Sequence, residues 1–393
     1  MNKRIEQLDS LRGIAAFAVV LHHLPLVAFA LPAFYVSLLR LTGINYGHGP
    51  VMLFFVLSGF VLSIPFLEKR WEGNRYFPYV VKRYCRIYIP YIVGILFAIA
   101  LSQLFWTEKV EVVGTYEHML WSTPLDLQLI VEHIYFLGNI HSNAFNGVIW
   151  SLIHELRISI IFPFVVLFVK RFDWKISVLL CMILSAISGL NNIFDFQTSN
   201  GNDITYFHTL HYTSLFILGA LLAKHRKDII TNYRKLETST KYIFLMTSFI
   251  LYNFSEIFTG YLYILTNIEI ISVYFFIIME YGIAFGSVGF MISAMGSSRV
   301  ERILLLRPFR FLGKISYSLY LYHLPVILTC IYLFHSVLPL WIICMIAVPM
   351  SVIISSIAWY LVERPSITFG RFLAKKVKGR QLTLNAKFKK RTV

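Results

Sequence analysis

Long apolar stretches recur along the whole chain, and short polar segments between them hold most of the charged residues. A membrane-spanning helix needs about 20 predominantly apolar residues. Ten stretches come near that length, and the fifth is the shortest of them. The pattern predicts spans at 11–31, 50–66, 89–106, 148–169, 176–190, 207–223, 241–258, 268–293, 315–334 and 340–362.

The composition supports the same conclusion. Hydrophobic residues fill 57% of the 393 positions and charged residues only 14%, whereas soluble domains carry about 25% charged residues. We therefore expect an all-α, polytopic membrane protein whose ten or so transmembrane helices form one bundle over residues 1–365. Residues 366–393 make a basic tail too short for a domain, which we expect to lie against anionic membrane lipids.

The basic residues predict the orientation, because cytoplasmic loops carry an excess of Lys and Arg. With a cytoplasmic N-terminus, Arg40 and Lys109 fall outside, Arg157 falls within a span, and the other 33 of the 36 Lys and Arg lie inside. Ten spans then place both termini in the cytoplasm of a multi-pass protein of the plasma membrane. The net charge of +16 is mostly a topology signal, and no nucleic-acid motif accompanies it. The four cysteines show no metal spacing, and no metal is expected.

Charge inside the first predicted span is the first sign of a functional site. On a helix of about 100° per residue, Arg12 and His23 share a face and lie roughly 16 Å apart, while His22 points about 80° away. Asp9 precedes Arg12 by three residues and can pair with it. Buried ionisable groups favour a functional interpretation. The alternative is an arginine that reaches the interface and a hydrogen-bonded core histidine.

A second candidate site lies between the second and third spans. Arg83 and Arg86 share a face at i, i+3, and two forked guanidinium groups suit phosphate. Ordinary cytoplasmic anchoring by positive charge is the alternative. In the fourth span, Glu155 lies about two turns from the outer edge, and Ser151 and Ser159 share its face. A carboxylate there is costly unless it is paired or functional.

Other polar residues within the spans leave two interpretations open. His208 and His211 share a face near an outer edge, where an aromatic belt is the favoured explanation. Glu280 and His323 lie centrally in the eighth and ninth spans and are able to pair structurally, which the sequence alone leaves undecided.

Seven segments, taken in order, resemble the acyltransferase 3 family of integral-membrane acyltransferases. They span positions 8 to 365 and read LDSLRGIAAFAVVLHH, LFFVLSGFVLS, KRYCRIYIP, WSLIHE, LFILGA, ISYSLYLYHLP and YLVERP. The resemblance implies transfer of an acyl group, commonly acetyl, from cytoplasmic acyl-CoA to a hydroxyl of an extracytoplasmic carbohydrate or similar acceptor. It implies an O-acetyltransferase-like enzyme whose co-substrate is acyl-CoA and whose partners are membrane lipids and a glycan.

The family motifs also imply roles for particular residues. A motif of Arg, ten residues and His falls on Arg12 and His23, and an inner-face R-x-x-R falls on Arg83 and Arg86. We expect His23, Glu155 and Arg12 to be catalytic and the arginine pair to bind acyl-CoA.

A third motif, W-S-L-x-x-E, places Trp150 and Ser151 beside Glu155, and we expect both, with His323, to contact the substrate. His23 acts either as a general base or as a carrier of the acyl group, and Glu155 is expected beside it.

Two departures from the family pattern concern the acceptor. Leu156-Arg157 stands where an aromatic pair is common, and His48 and Pro50 are less usual before the second span. The competing hypotheses are a transporter or flippase of a glycan or lipid-linked intermediate, and a structural partner in an envelope assembly. Buried His, Glu and Arg also make proton relays, but a proton-coupled carrier does not need an arginine site for phosphates.

Overall fold

The computed structural model describes residues 5–27, 48–68, 75–107 and 120–389. The regular elements in these ranges are all helical. The α-helices are α1 Glu6–Val27, α2 His48–Glu68, α3 Tyr76–Phe105, α4 Leu127–Tyr135, α5 Trp150–Arg171, α6 Trp174–Phe194, α7 Tyr206–Lys235, α8 Thr238–Thr266, α9 Glu269–Val273, α10 Phe275–Gly296, α11 Ser298–Leu304, α12 Arg307–Phe334, α13 Leu340–Ala358 and α14 Arg364–Lys389. A 3₁₀ turn, Gly147–Ile149, leads into α5, and a π-helical segment, Trp359–Glu363, joins α13 to α14.

Eight helical stretches in the described part of the chain are long and apolar enough to cross a membrane. They are α2, α3, α5, α6, α8, α10, α12 and the continuous stretch of α13 and α14. The chain is therefore a polytopic helical membrane protein. The predicted spans 11–31 and 207–223 correspond to α1 and α7. These two helices are not among the eight, and both carry several polar residues within the predicted span. The count of ten and the orientation remain predictions, and Arg40 and Lys109 lie outside the described residues.

Glycines bring α1 and α12 into close contact. A Cβ atom added at Gly13 would collide with the backbone of Gly313, and one added at Gly313 would collide with the backbone of Asp9. Small residues allow helix axes to approach in this way inside a membrane. The two helices pack along much of their length, so that polar residues of α1 face polar residues of α12 directly.

A second crossing of the same type fixes α2 against α7. A Cβ atom at Gly59 would collide with the carbonyl group of Phe216, and one at Gly219 would collide with that of Val56. Both glycines lie in segments that carry the family resemblance. The two glycines act in packing. The crossing that they allow sets the position of the α2 face that carries Phe54, Phe55 and Ser58.

Pro325 interrupts the hydrogen bonding of α12 near its centre. Proline has no backbone N–H, so the carbonyl group of Leu321, four residues earlier, loses its usual partner. Asn146, in the segment just before α5, donates its side-chain N–H to that carbonyl oxygen at 2.8 Å. The buried backbone group is thereby satisfied, and the start of α5 is tied to α12.

The C-terminal helix does not stop at the predicted boundary of the bundle. The stretch from α13 through the π-helical segment to α14 is continuous across Pro365. A π-helical turn is one way for a helix to accommodate a proline that removes an intrahelical bond. α14 then packs against α3, where Gly370 lies against Cys85.

Candidate active site

Two cavities lie in series along the contact of α1 with α12. The larger, which we call the vestibule, has a volume of about 660 Å³ and lies at the Arg12 end of α1. The smaller, which we call the chamber, has a volume of about 50 Å³ and is lined by α1, α2, α3, α5 and α12. Arg12 and Arg86 line both cavities. The two guanidinium groups therefore mark the junction between a wide compartment and a narrow one.

The vestibule is rich in positive charge. Its five basic lining residues are Arg12, Arg86, Lys314, Arg364 and Arg371, and its two acids are Asp9 and Glu363. An excess of cations around a wide opening favours a polyanionic ligand. Lys314 and Arg371 were not predicted from the sequence, because each lies in a basic segment already explained by membrane topology.

Arg12 is held at the junction by two partners. Its Nη2 lies 3.1 Å from a carboxylate oxygen of Asp9, which confirms the predicted i, i+3 pair. Its Nε donates to Ser316 Oγ of α12 at 3.0 Å. The guanidinium group is thus fixed between α1 and α12 and is partly accessible from the cavities.

The two arginines of the R-x-x-R motif have different surroundings. Arg83 is 8% exposed, its Nη2 lies 2.5 Å from Glu155 Oε1, and its Nε donates to Ser159 Oγ at 3.1 Å. Arg86 is half-buried at the junction, and it forms no hydrogen bond or ion pair with any other residue that the structure describes. Arg83 therefore pairs with Glu155, and the binding of acyl-CoA by the two arginines stays a prediction.

Glu155 lies in the wall of the chamber. From the sequence, this carboxylate is expected beside His23. In the structure the carboxylate pairs instead with Arg83, and Ser58 Oγ donates to it at 3.3 Å. Arg157 is turned elsewhere, as its position two residues further along the helix predicts. It donates to the carbonyl oxygens of Leu137 and Ile204 at 2.9 and 2.7 Å.

His23 contacts His323 across the α1–α12 interface. Their ring centroids are 4.9 Å apart, and His323 Nε2 lies 3.3 Å from His23 Nδ1. Each Nδ1 also lies within 3.0 Å of a backbone carbonyl oxygen one turn earlier, that of Val19 or Leu319. A carbonyl oxygen only accepts hydrogen bonds, so both neutral rings carry their proton on Nδ1. The Nε2 atom of His23 is then a proton acceptor.

The predicted contact of His323 with substrate stays a prediction, and the structure shows how this residue lies against His23. The residue is 0% exposed, and its unprotonated Nε2 faces His23 Nδ1. It therefore helps to fix the tautomer and the orientation of the His23 ring, as a positioning residue does. It does not pair with Glu280, which settles the alternative left open by the sequence.

Ser151 and Trp150 occupy different environments. Ser151 lies in the chamber wall, 2.7 Å from the hydroxyl oxygen of Tyr320. The Trp150 ring packs against His48 at 5.7 Å between centroids and is 8% exposed. Ser151 thus lines the chamber, whereas Trp150 contacts a residue of a second polar cluster.

That second cluster was not predicted from the sequence. Glu280 of α10 is 3% exposed, lies 2.9 Å from His211 Nε2 and 3.3 Å from His48 Nδ1, and accepts a hydrogen bond from Tyr212. His211 is 1% exposed, so the aromatic-belt interpretation is wrong for this residue. His48, His211 and Glu280 each stood out in the sequence, but nothing there indicated that they meet, and His48 and Glu280 are 232 residues apart.

The fold and the site together define an integral-membrane protein with two cavities that meet at Arg12 and Arg86 and a histidine pair between α1 and α12. A family model for an acyltransferase domain matches residues 5–360. The chain belongs to this acyltransferase family, as the sequence resemblance predicted. No curated protein and no solved structure matches the chain. Among the described residues, no group of three or more His, Cys, Asp or Glu side chains is placed to hold a metal ion.

Proposed function

We propose that this protein transfers an acyl group from acyl-CoA, bound at the predicted cytoplasmic side of the plasma membrane, to a hydroxyl group of an extracytoplasmic carbohydrate or similar acceptor. The observation that carries the proposal is the junction of the vestibule and the chamber at Arg12 and Arg86. A wide basic compartment that narrows into a small, mostly apolar chamber matches the shape of a molecule with a large phosphorylated body and a thin reactive arm.

The donor is held chiefly by charge. The phosphates of coenzyme A lie in the vestibule, where guanidinium groups such as those of Arg364 and Arg371 suit them, with Lys314 as a point charge. Arg86 then acquires the anionic partner that the described residues do not give it. Of the predicted pair Arg83 and Arg86, this proposal keeps Arg86 as a phosphate ligand and gives Arg83 a structural role, because the guanidinium group of Arg83 is bound to Glu155.

The chemistry takes place at the far end of the chamber, on the side of His23. On α12, Ser316, Tyr320 and His323 follow each other at i, i+4 and i+7, so they lie on one face. His323 lies about 4.5 Å further along the axis than Tyr320, and the two rings are 6.2 Å apart. The histidine pair therefore follows directly after the far end of the chamber, on the side from which an acceptor would approach.

In the proposed step His23 is the general base. Its Nε2 takes the proton from the acceptor hydroxyl while the hydroxyl oxygen attacks the thioester carbonyl carbon. A new C–O bond forms, the C–S bond breaks, and the proton passes from the imidazolium to the sulfur to give the free thiol. His323 keeps the ring of His23 in the tautomer that this step requires, and Arg12 stands at the entry of the thioester arm.

The experiment uses the purified protein in sealed lipid vesicles. Acetyl-CoA with a labelled acetyl group is supplied on one side of the vesicle membrane, and a panel of methyl glycosides is supplied on the other side. Label on a glycoside supports the enzyme, and His23→Ala should abolish it while the protein still inserts. His22→Ala is the matched control. Movement of an unmodified glycoside across the vesicle membrane, with no transfer of label to any acceptor, would instead support a transporter.

A further inference from the structure

The chamber is small, and two aromatic side chains line the end of it that faces the histidine pair. A volume of about 50 Å³ has room for about four groups of the size of a water molecule, since one needs roughly 10–15 Å³ measured in this way. An acetyl group, with its methyl, its carbonyl carbon and its oxygen, fits this space. A chain of several more methylene groups does not fit unless a wall moves.

One of these two side chains, Tyr320, is fixed. The hydroxyl group of Tyr320 donates to the backbone carbonyl of Val148 at 2.9 Å and lies 2.7 Å from Ser151 Oγ. The residue is 4% exposed. Because both ends of this side chain are held, its ring is a rigid wall of the chamber between α5 and α12.

The other side chain is Phe54 of α2. Its ring meets the Tyr320 ring edge-to-face, with centroids 5.6 Å apart and planes at 89°. Both rings line the chamber, and Phe54 is less deeply buried than its neighbour Phe55, which is packed against Tyr212 and Phe216. Phe54 is therefore the wall residue whose truncation would enlarge the chamber with the least damage to the core.

We propose that Phe54 and Tyr320 set the length of the acyl chain, and that the protein accepts acetyl and rejects chains from butanoyl upwards. The proposal rests on the proposed function, since it assigns the chamber to the acyl end of the donor. Neither residue touches the proton-transfer groups in this scheme. They act on specificity because an additional methylene must displace one of the two rings, whose packing resists it.

The test compares kcat/KM for acetyl-, butanoyl- and hexanoyl-CoA in the vesicle assay. In the wild type, butanoyl transfer should be slower than acetyl transfer by at least about tenfold, the usual discrimination for a methylene that a pocket does not accommodate. Phe54→Ala should raise the butanoyl-to-acetyl ratio by about tenfold or more. Tyr320→Phe keeps the ring but removes the hydroxyl group that holds it, so the ratio should rise by less than in Phe54→Ala.

The matched control is Phe66→Ala, a Phe to Ala change on the same helix outside the chamber. Phe66 is 6% exposed and packs on Tyr79, so its truncation tests loss of core packing without widening the chamber, and the ratio should not change. The ratio does not depend on the amount of folded protein, and Phe54→Leu replaces Phe54→Ala if the latter does not fold.

The outcomes separate the two proposals. If the wild type transfers butanoyl as fast as acetyl, the proposed acyltransferase function is supported, but the proposal that the chamber limits the chain length is wrong. An unchanged ratio in both folded Phe54 variants would overturn it as well. Absence of transfer from every acyl-CoA in wild-type protein would overturn the proposed function and this inference together.

Discussion

The ion pair between Arg83 and Glu155 leads to a prediction that can be measured without knowing the acceptor. The side chains are 9% and 19% exposed, and the nitrogen and oxygen atoms are 2.5 Å apart. Removing one partner of a buried pair leaves the other charge uncompensated, which costs about 3–5 kcal/mol. Glu155→Gln keeps an amide oxygen that can accept one hydrogen bond, and Ser159 still accepts another from Arg83. We therefore expect a loss near the low end, about 3 kcal/mol of unfolding free energy.

A matched exposed pair provides the control. Arg310 and Glu6 lie 2.8 Å apart with side chains 52% and 50% exposed. Solvent screens such a pair, and its contribution is below about 1 kcal/mol. Glu6→Gln therefore makes the same chemical change at nearly the same distance and should alter stability little. The difference between the two Glu→Gln variants isolates the effect of burial.

The measurement is equilibrium unfolding of the purified protein in mixed micelles, followed by tryptophan fluorescence, for wild type, Glu155→Gln, Arg83→Gln and the double variant. Residues in one ion pair show coupling energies of about 0.5–3 kcal/mol, and we expect about 2 kcal/mol here. The double variant should thus be more stable than the sum of the single losses implies. A coupling near zero, with Glu155→Gln as stable as wild type, would refute the pair and return Glu155 to a place beside His23. Turnover of the folded Glu155→Gln protein should fall at least about tenfold, because the chamber wall loses its fixed charge.

Three further predictions concern the site and the topology. His23→Ala should abolish transfer in vesicles while His22→Ala has a milder effect, and equal losses at normal expression would contradict the geometric argument. Arg86→Ala should raise KM for acyl-CoA more than it changes turnover at saturation, because phosphate contacts remote from the carbonyl contribute equally to ground-state and transition-state binding. If Arg86→Ala leaves KM unchanged, Arg86 does not belong to the donor site. Arg83→Ala should instead lower the yield of folded protein. A reporter enzyme fused after Val393 should behave as cytoplasmic, and extracytoplasmic behaviour would show that one span has been miscounted.

Features that depend on a few neighbouring residues were predictable from the sequence. Helical class follows from the apolar stretches, and the Asp9–Arg12 pair follows from a spacing of three on one helix. The separation of Glu155 from Arg157 follows in the same way, because two residues on a helix point about 200° apart. Each of these statements needs only the geometry of a single helix.

Contacts between helices were not predictable in the same way. Periodicity gives the face on which a residue lies but not the helix that covers this face. Glu155 meets Arg83, 72 residues earlier, and Glu280 meets His48, 232 residues earlier. A chain with many polar residues in its spans allows many such pairs, and only the packing of the glycine crossings selects among them.

The R-x-x-R segment shows how the geometry of a single helix and the contacts between helices combine. Residues three apart on a helix differ in direction by about 60°, so both arginines enter the bundle, but they meet different neighbours. Arg83 reaches α5 and finds a carboxylate. Arg86 reaches the junction of the vestibule and the chamber, where none of the described residues pairs with it. Withdrawing a cation from water without a partner is costly, and the cost disappears when an anionic ligand occupies the vestibule. The same pair of residues thus supplies one structural charge, which holds the chamber wall, and one charge that, in the function proposed above, a phosphate of the donor would neutralise.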